Sequence, residues 1–87
     1  MTEDSAPQPT PRARHILAAA ARKATEMGHS YLGAEHLMLA VLDDPDAVPT
    51  QVMATLVDPA AVSAALLDVM ESPGYNTPTH RTVVRPE

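Results

Sequence analysis

With 87 residues the chain has room for a single domain, and the absence of cysteine excludes disulfides and thiolate metal sites as reinforcement. Its net charge of −5 is unevenly spread: residues 10–42 carry Arg12, Arg14, Arg22 and Lys23 against Glu26 and Glu35, whereas residues 43–71 carry Asp43, Asp44, Asp46, Asp58, Asp68 and Glu71 with no lysine or arginine. So acidic a second half argues against wrapping nucleic acid, whose affinity comes from neutralised phosphates, and against an anionic membrane surface.

Pro7, Pro9 and Pro11 stand beside Thr2, Ser5 and Thr10, so residues 1–9 read as a disordered arm that buries little apolar surface. Pro73, Gly74, Pro78 and Pro86 repeat the theme, and residues 72–87 read as a flexible tail. Thr82-Val83-Val84 is β-prone but short and falls in that tail. The domain is expected over residues 10–71, a size near the limit of independent stability. The amino terminus shows no apolar signal region, and the longest apolar run, Leu37–Leu42, is too short to span a bilayer. The resulting expectation is a cytoplasmic protein with no membrane partner.

Between the ends the sequence predicts four helices. The first opens on Thr10 as N-cap with Pro11 in the first helical position. Its apolar positions Ile16, Leu17, Ala20, Ala24 and Met27 recur every three to four residues, leaving Arg14, Arg22 and Lys23 towards solvent, and Gly28 ends it. The second begins at Ala34 with Gly33 as N-cap and Glu35 in the first turn, where a carboxylate meets the positive end of the helix dipole. Leu37 to Leu42 leave it almost no polar face, so it is the central, mostly buried element. Asp43-Asp44-Pro45-Asp46 reads as a solvated turn. The third helix is expected from Val48 to Leu56, with Val48, Val52, Met53 and Leu56 as its stripe and Pro49 tolerated in the first turn. Asp58 followed by Pro59 is the clearest start signal in the chain. It opens a fourth helix whose inner face is Val62, Ala65, Leu66, Val69 and Met70, stopped by Ser72-Pro73-Gly74. The fold class is therefore all-α, a compact four-helix unit with proline-rich ends.

Two stretches carry a likeness. Thr10-Pro11-Arg12 opens a helix that ends at Met27-Gly28-His29, and Tyr31-Leu32-Gly33-Ala34-Glu35-His36-Leu37 runs into the second helix, with Val52-Met53 and Leu56 following. This order resembles one repeat of the Clp amino-terminal domain, found at the front of ring-forming ATP-dependent unfoldases, and is most similar to the second repeat of the C-type Clp unfoldases. The specific part is the Gly-His-x-Tyr-Leu-Gly-x-Glu-His-Leu run. The resemblance implies a four-helix repeat, normally present twice in tandem about a pseudo-two-fold axis, that docks adaptors and clients. It implies partners among Clp unfoldase or protease components or their client proteins, with a docking site at His29, Tyr31, Leu32, Gly33, Ala34 and Glu35. Some members hold arginine-phosphorylated proteins, with a glutamate on the guanidinium and a threonine with the helix amino terminus on the phosphate. Glu35 matches the glutamate, and Ala34 stands where the threonine would be. The chain carries one repeat where the family domain has two, which leads to the expectation of a homodimer that covers the apolar surface of a lone repeat.

Catalysis finds no constellation. A phosphate-cradling loop needs a glycine-rich turn and a lysine, yet the glycines are Gly28, Gly33 and Gly74 and the sole lysine, Lys23, lies within a helix. Ser30, Ser63 and Ser72 have no evident base and orienting partner. His29 and His36 underdetermine a metal site, and His36 fits better as a hydrogen-bonding residue fixing the loop against the second helix. Met27, Met38, Met53 and Met70 read as core at helical spacing or as an adaptable groove. Glu35 reads as a guanidinium receptor or as a dipole-stabilising carboxylate. The expected function is a non-catalytic interaction module, without cofactor or metal, linked to Clp-dependent proteolysis. The alternative is a helix-turn-helix DNA-binding regulator resting on Arg12, Arg14, Arg22 and Lys23.

Overall fold

A computed structural model describes residues 6–73 and 75. Four helices follow one another, α1 (Pro11–Glu26), α2 (Ala34–Leu42), α3 (Val48–Ala54) and α4 (Pro59–Met70), with no strand among the described residues. This is the expected all-α architecture. Most of the expected arm and tail, Thr82–Val84 included, lies outside the described residues.

Local chemistry sets the helix ends. The Thr10 hydroxyl accepts from the Ala13 amide at 3.0 Å, and Pro11 follows in the first turn. At the other end Gly28 adopts φ +78°, the left-handed conformation that glycine enters at little cost. The Gly28 amide donates to the Thr25 carbonyl at 3.0 Å and the His29 amide to the Ala24 carbonyl at 2.9 Å, a Schellman closure that satisfies two otherwise orphaned carbonyls. The Asp58 carboxylate accepts from the Ala60 amide at 3.1 Å and opens α4.

α2 packs against each of the other three helices, and α1 meets only α2. The buried side of α1 is built from Ala20 and Ala24, small enough for close approach. Leu39 of α2, Met70 of α4 and Tyr75 form the main apolar cluster, with Met27, Leu66 and Leu67 packed against it. Tyr75, expected in the tail, is only 8% exposed, so the packed body reaches beyond Glu71. Of the methionines among the described residues, only Met70 is buried; Met27 and Met53 are half-buried and Met38 is exposed.

Three expectations need correction. α3 ends at Ala54 rather than Leu56, and its expected stripe faces outward, with Val48, Val52 and Leu56 all exposed and only Met53 half-buried. Thr50 is buried in their place and its hydroxyl donates to the Val41 carbonyl at the end of α2. With Thr50 turned inward, a rotation of about 100° per residue carries positions 48 and 52 to the opposite side of α3, and Leu56 falls in the turn beyond it. Ala65 of α4 is likewise exposed, while Leu67 is half-buried. The third correction is the Asp43–Asp46 turn. Asp44 is buried, bonded to Arg12 Nη1 at 2.8 Å, and it accepts from the Asp46 amide at 3.0 Å.

Candidate functional site

The loop between α1 and α2 is held from both sides. Its first residue, His29, is tied back to α1 by the bond to Ala24. Its last, Gly33, is the N-cap of α2 in extended conformation, φ −104° and ψ 172°. Glycine has no side chain to cap with, and the reciprocal contact comes from the third helical residue: the Gly33 amide donates to His36 Nδ1 at 2.8 Å.

That bond fixes a tautomer. Because Nδ1 of the neutral His36 ring accepts, its proton sits on Nε2, and Nε2 lies 2.8 Å from His29 Nδ1. His36 therefore donates to His29, and the neutral His29 ring carries its own proton on Nε2. The relay runs from backbone amide to inner imidazole to outer imidazole. His36 is fully buried; burial first, and then the neighbouring His29, lower its pKa below the ordinary 6.5, against a smaller upward pull from Glu35. The neutral ring that the relay requires is the one the environment favours. The expected role of His36 as a hydrogen-bonding anchor between loop and helix is what the structure displays.

Around the relay the rings form one cluster. His29 stacks on Tyr31 with centroids 4.9 Å apart and planes 11° from parallel. Both meet His36 edge-on, at 5.0 and 5.4 Å, and Tyr75 closes the cluster 6.2 Å from His29. Burial, with Tyr31 and Glu35 adding to it, pushes the Tyr75 hydroxyl well above its usual range, and that hydroxyl has no hydrogen-bond partner among the described residues. The chain's only two tyrosines thus share this cluster. Tyr75 was missed in the sequence because it stands directly after the helix stop Ser72-Pro73-Gly74, in the stretch read as a tail. The one available signal was a lone aromatic in a polar, proline-rich stretch.

Of the residues expected to form the site, His29, Tyr31, Gly33 and Glu35 are half-buried around the cluster, whereas Leu32 and Ala34 are exposed. The Glu35 carboxylate folds back over the loop: a β-carbon added to Gly33 would lie 2.7 Å from Glu35 Oε1. The arrangement is a preorganised surface with an exposed leucine, an aromatic stack and one carboxylate. No group of three or more His, Asp or Glu residues converges to hold a metal among the described residues, and the two histidines face each other as hydrogen-bond partners.

The basic residues of α1 are placed elsewhere. Arg12 pairs with Asp44, and Lys23 with Asp43 at 3.0 Å. The two pairs clamp α1 to the α2–α3 turn across a polar cleft of about 490 Å³ that also presents His15, Arg22 and Glu26. Burial pulls the Asp44 carboxyl upward, but Arg12 and the Asp46 amide outweigh it and hold its pKa below the ordinary 3.8. No single described helix is long and apolar enough to cross a membrane; α3 and α4 would suffice only together, and they are bent by 105° at their junction.

Residues 2–80 match the family described as the Clp repeat (R) N-terminal domain. The chain is 34% identical over 59 residues to the chloroplastic chaperone protein ClpC2 of Oryza sativa subsp. japonica and, over the same length, to chloroplastic ClpC1 of Arabidopsis thaliana. It is 31% identical over 62 residues to the ClpA homolog, an ATP-dependent Clp protease ATP-binding subunit, of Porphyra purpurea. These alignments take in 67–70% of the chain but only 6–8% of the relatives' length. No solved structure matches the chain. With a match across nearly its whole length, the chain belongs to the Clp repeat amino-terminal domain family.

Proposed function

We propose that this chain is a non-catalytic docking module of the Clp system, which engages an adaptor, a client or the unfoldase through His29, Tyr31, Leu32, Gly33, Ala34 and Glu35. The observation that supports it most is the rigidity of this loop. A Schellman closure, a backbone-to-imidazole relay and a ring stack hold it in one conformation, so little ordering entropy is lost on binding. Exposed Leu32 offers an apolar anchor beside the Glu35 carboxylate, a pairing suited to a basic or guanidinium-bearing segment. Recognition of arginine-phosphorylated clients is the finer form of this proposal. It draws on Glu35 for the guanidinium and on the amino terminus of α2 for the phosphate, without the hydroxyl that Ala34 lacks. The homodimer and the cytoplasmic location expected from the sequence belong to the same proposal. The DNA-binding alternative has no comparable support, since two of its four basic residues are held in ion pairs with Asp43 and Asp44.

The test is capture from native cell extract, comparing the intact chain with Glu35→Ala and Leu32→Ser and reading the bound proteins by mass spectrometry. Clp components or a defined client set, enriched by the intact chain and lost with either variant, are the expected result. Equal capture by all three refutes the assignment of the loop, and an absence of Clp components and clients refutes the docking function.

A further inference from the structure

Four nitrogens stand in line at the root of the docking loop: the Gly33 amide, His36 Nδ1, His36 Nε2 and His29 Nδ1. The Gly33–His36 and His36–His29 contacts are each 2.8 Å long, and each has room for one hydrogen between its nitrogens. The amide hydrogen of Gly33 is fixed and fills the first. The single hydrogen of the neutral His36 ring fills the second. A further proton has no seat. On His36 Nδ1 it would face the Gly33 amide. On His29 Nδ1 it would face the hydrogen already on His36 Nε2, and moving that hydrogen across the ring to Nδ1 only returns the clash to Gly33. The line is therefore full with both rings neutral, and either ring takes a proton only once one contact has parted.

The neighbours do little to hold such a proton in place. Tyr31 from the loop and Tyr75 from beyond α4 meet the pair through their rings. Glu35 on α2 is the one carboxylate that acts on His36, and its pull is smaller than the opposing effects of burial and His29. The buried residues of the helices packed on α2 are Ala20 and Ala24 of α1, Thr50 of α3 and Met70 of α4, none of them charged.

We propose that the docking loop is a proton-operated latch. Uptake of a proton by the His29–His36 pair parts the line of hydrogen bonds, releases the loop from the amino terminus of α2 and dismantles the docking surface; loss of the proton restores it. An opened imidazole takes a proton near pH 6.5, whereas the closed line has no seat for one, so opening gains as pH falls through that value. This is a regulation of the proposed docking site, and its consequence for binding rests on that reading. The opening of the loop does not.

The test is a pH titration of the full chain by NMR, from about pH 8 to about pH 5. Long-range proton–nitrogen correlations read the imidazole nitrogens, and amide exchange is read as protection factors. At the alkaline end His36 should carry its hydrogen on Nε2 and His29 should have a bare Nδ1. Below about pH 6.5 both rings should leave these states in one transition. Over the same range protection of the Gly33 amide should fall by up to about tenfold per pH unit for one proton taken up, while Leu39 and Ala40, buried in α2, keep theirs. The double variant His29→Phe/His36→Gln retains a ring beside Tyr31 and an acceptor for the Gly33 amide but has nothing to protonate, and its Gly33 protection should not respond to pH. Proteins that the intact chain captures from native extract at about pH 7.5 should elute at about pH 5.5. The latch is overturned if His29 titrates while His36 keeps its tautomer and Gly33 its protection. It is equally overturned if Gly33 loses protection only together with Leu39 and Ala40, or if captured proteins stay bound at the lower pH. Should the double variant not fold, the wild-type titration decides alone, as it does if nothing is captured at neutral pH, a result that overturns the docking reading instead.

Discussion

Two glycines flank the docking loop, and replacing each with alanine separates backbone strain from side-chain crowding. Gly28 sits at φ +78°, and a β-carbon there would meet no heavy atom within 4 Å. The whole effect of Gly28→Ala is therefore conformational. A left-handed non-glycine residue costs about 1–2 kcal/mol, partly offset by a stiffer unfolded chain, for a net loss of about 1 kcal/mol. In a domain of this size that lowers Tm by about 4–8 °C. Gly33 is the reverse case. Its φ of −104° suits any residue, yet the new β-carbon would lie 2.7 Å from Glu35 Oε1, 3.6 Å from His36 Nδ1 and 3.8 Å from the Tyr31 ring. Only the first contact is too close, and it is made by the end of a flexible side chain. Gly33→Ala should thus change stability by no more than about 0.5 kcal/mol while displacing the Glu35 carboxylate. Thermal melts followed by circular dichroism, paired with extract capture, check both halves. Gly28→Ala should melt early; Gly33→Ala should melt near wild type and capture as poorly as Glu35→Ala. A Gly33→Ala protein that melts as early as Gly28→Ala, or a Gly28→Ala protein that melts with wild type, would refute the reasoning.

Acidification should weaken the fold through His36. Its folded pKa lies below 6.5 because of burial and then His29, so the unfolded chain takes the proton first. The contribution of the neutral ring is complete above pH 6.5 and fades as pH falls through 6.5 towards the folded value, at no more than about 1.4 kcal/mol per pH unit for one proton. Urea midpoints should decline over that window and decline less in His36→Gln; equal slopes would count against the relay. Asp44 has the opposite chemistry and the same sign. Its folded pKa lies below 3.8, so its contribution is present above 3.8 and lost below. Asp44→Asn should be less stable than wild type at neutral pH, and urea midpoints of the two should converge as pH falls below 3.8. At Tyr75, truncation to alanine should lower stability by about 3 kcal/mol through loss of a buried ring. Tyr75→Phe, which removes only a hydroxyl without a partner among the described residues, should melt at or above wild type.

Helix starts and stops could be read from the sequence because they are settled within four residues. Thr10-Pro11, Asp58-Pro59 and Gly28 each meet their partner inside one turn. The orientation of α3 could not be read in this way. Its apolar stripe had the right spacing for a core face, but the inward side was decided by Thr50 reaching a carbonyl nine residues away on α2. Asp44 misled for a related reason. Aspartate beside proline is the usual chemistry of a solvated turn, and only its partner Arg12, 32 residues earlier, makes burial tolerable. Within the loop, His29, Tyr31 and Glu35 were legible as a group because they are adjacent in the chain. Tyr75 joins them only through the packing of α4 on α2, which no local pattern announces.

His29 belongs to two structures at once. Its amide seals the end of α1 at the Ala24 carbonyl, while its ring stacks on Tyr31 and accepts from the anchor of α2. The loop therefore has no private motion: swinging it outward breaks the last closure of α1, and fraying that helix pulls the stack apart. Amide hydrogen exchange at Gly28 and His29 should then report the same opening event. Whatever binds the loop should slow exchange at both amides together, a signal readable on the helix even when the bound molecule touches only the rings.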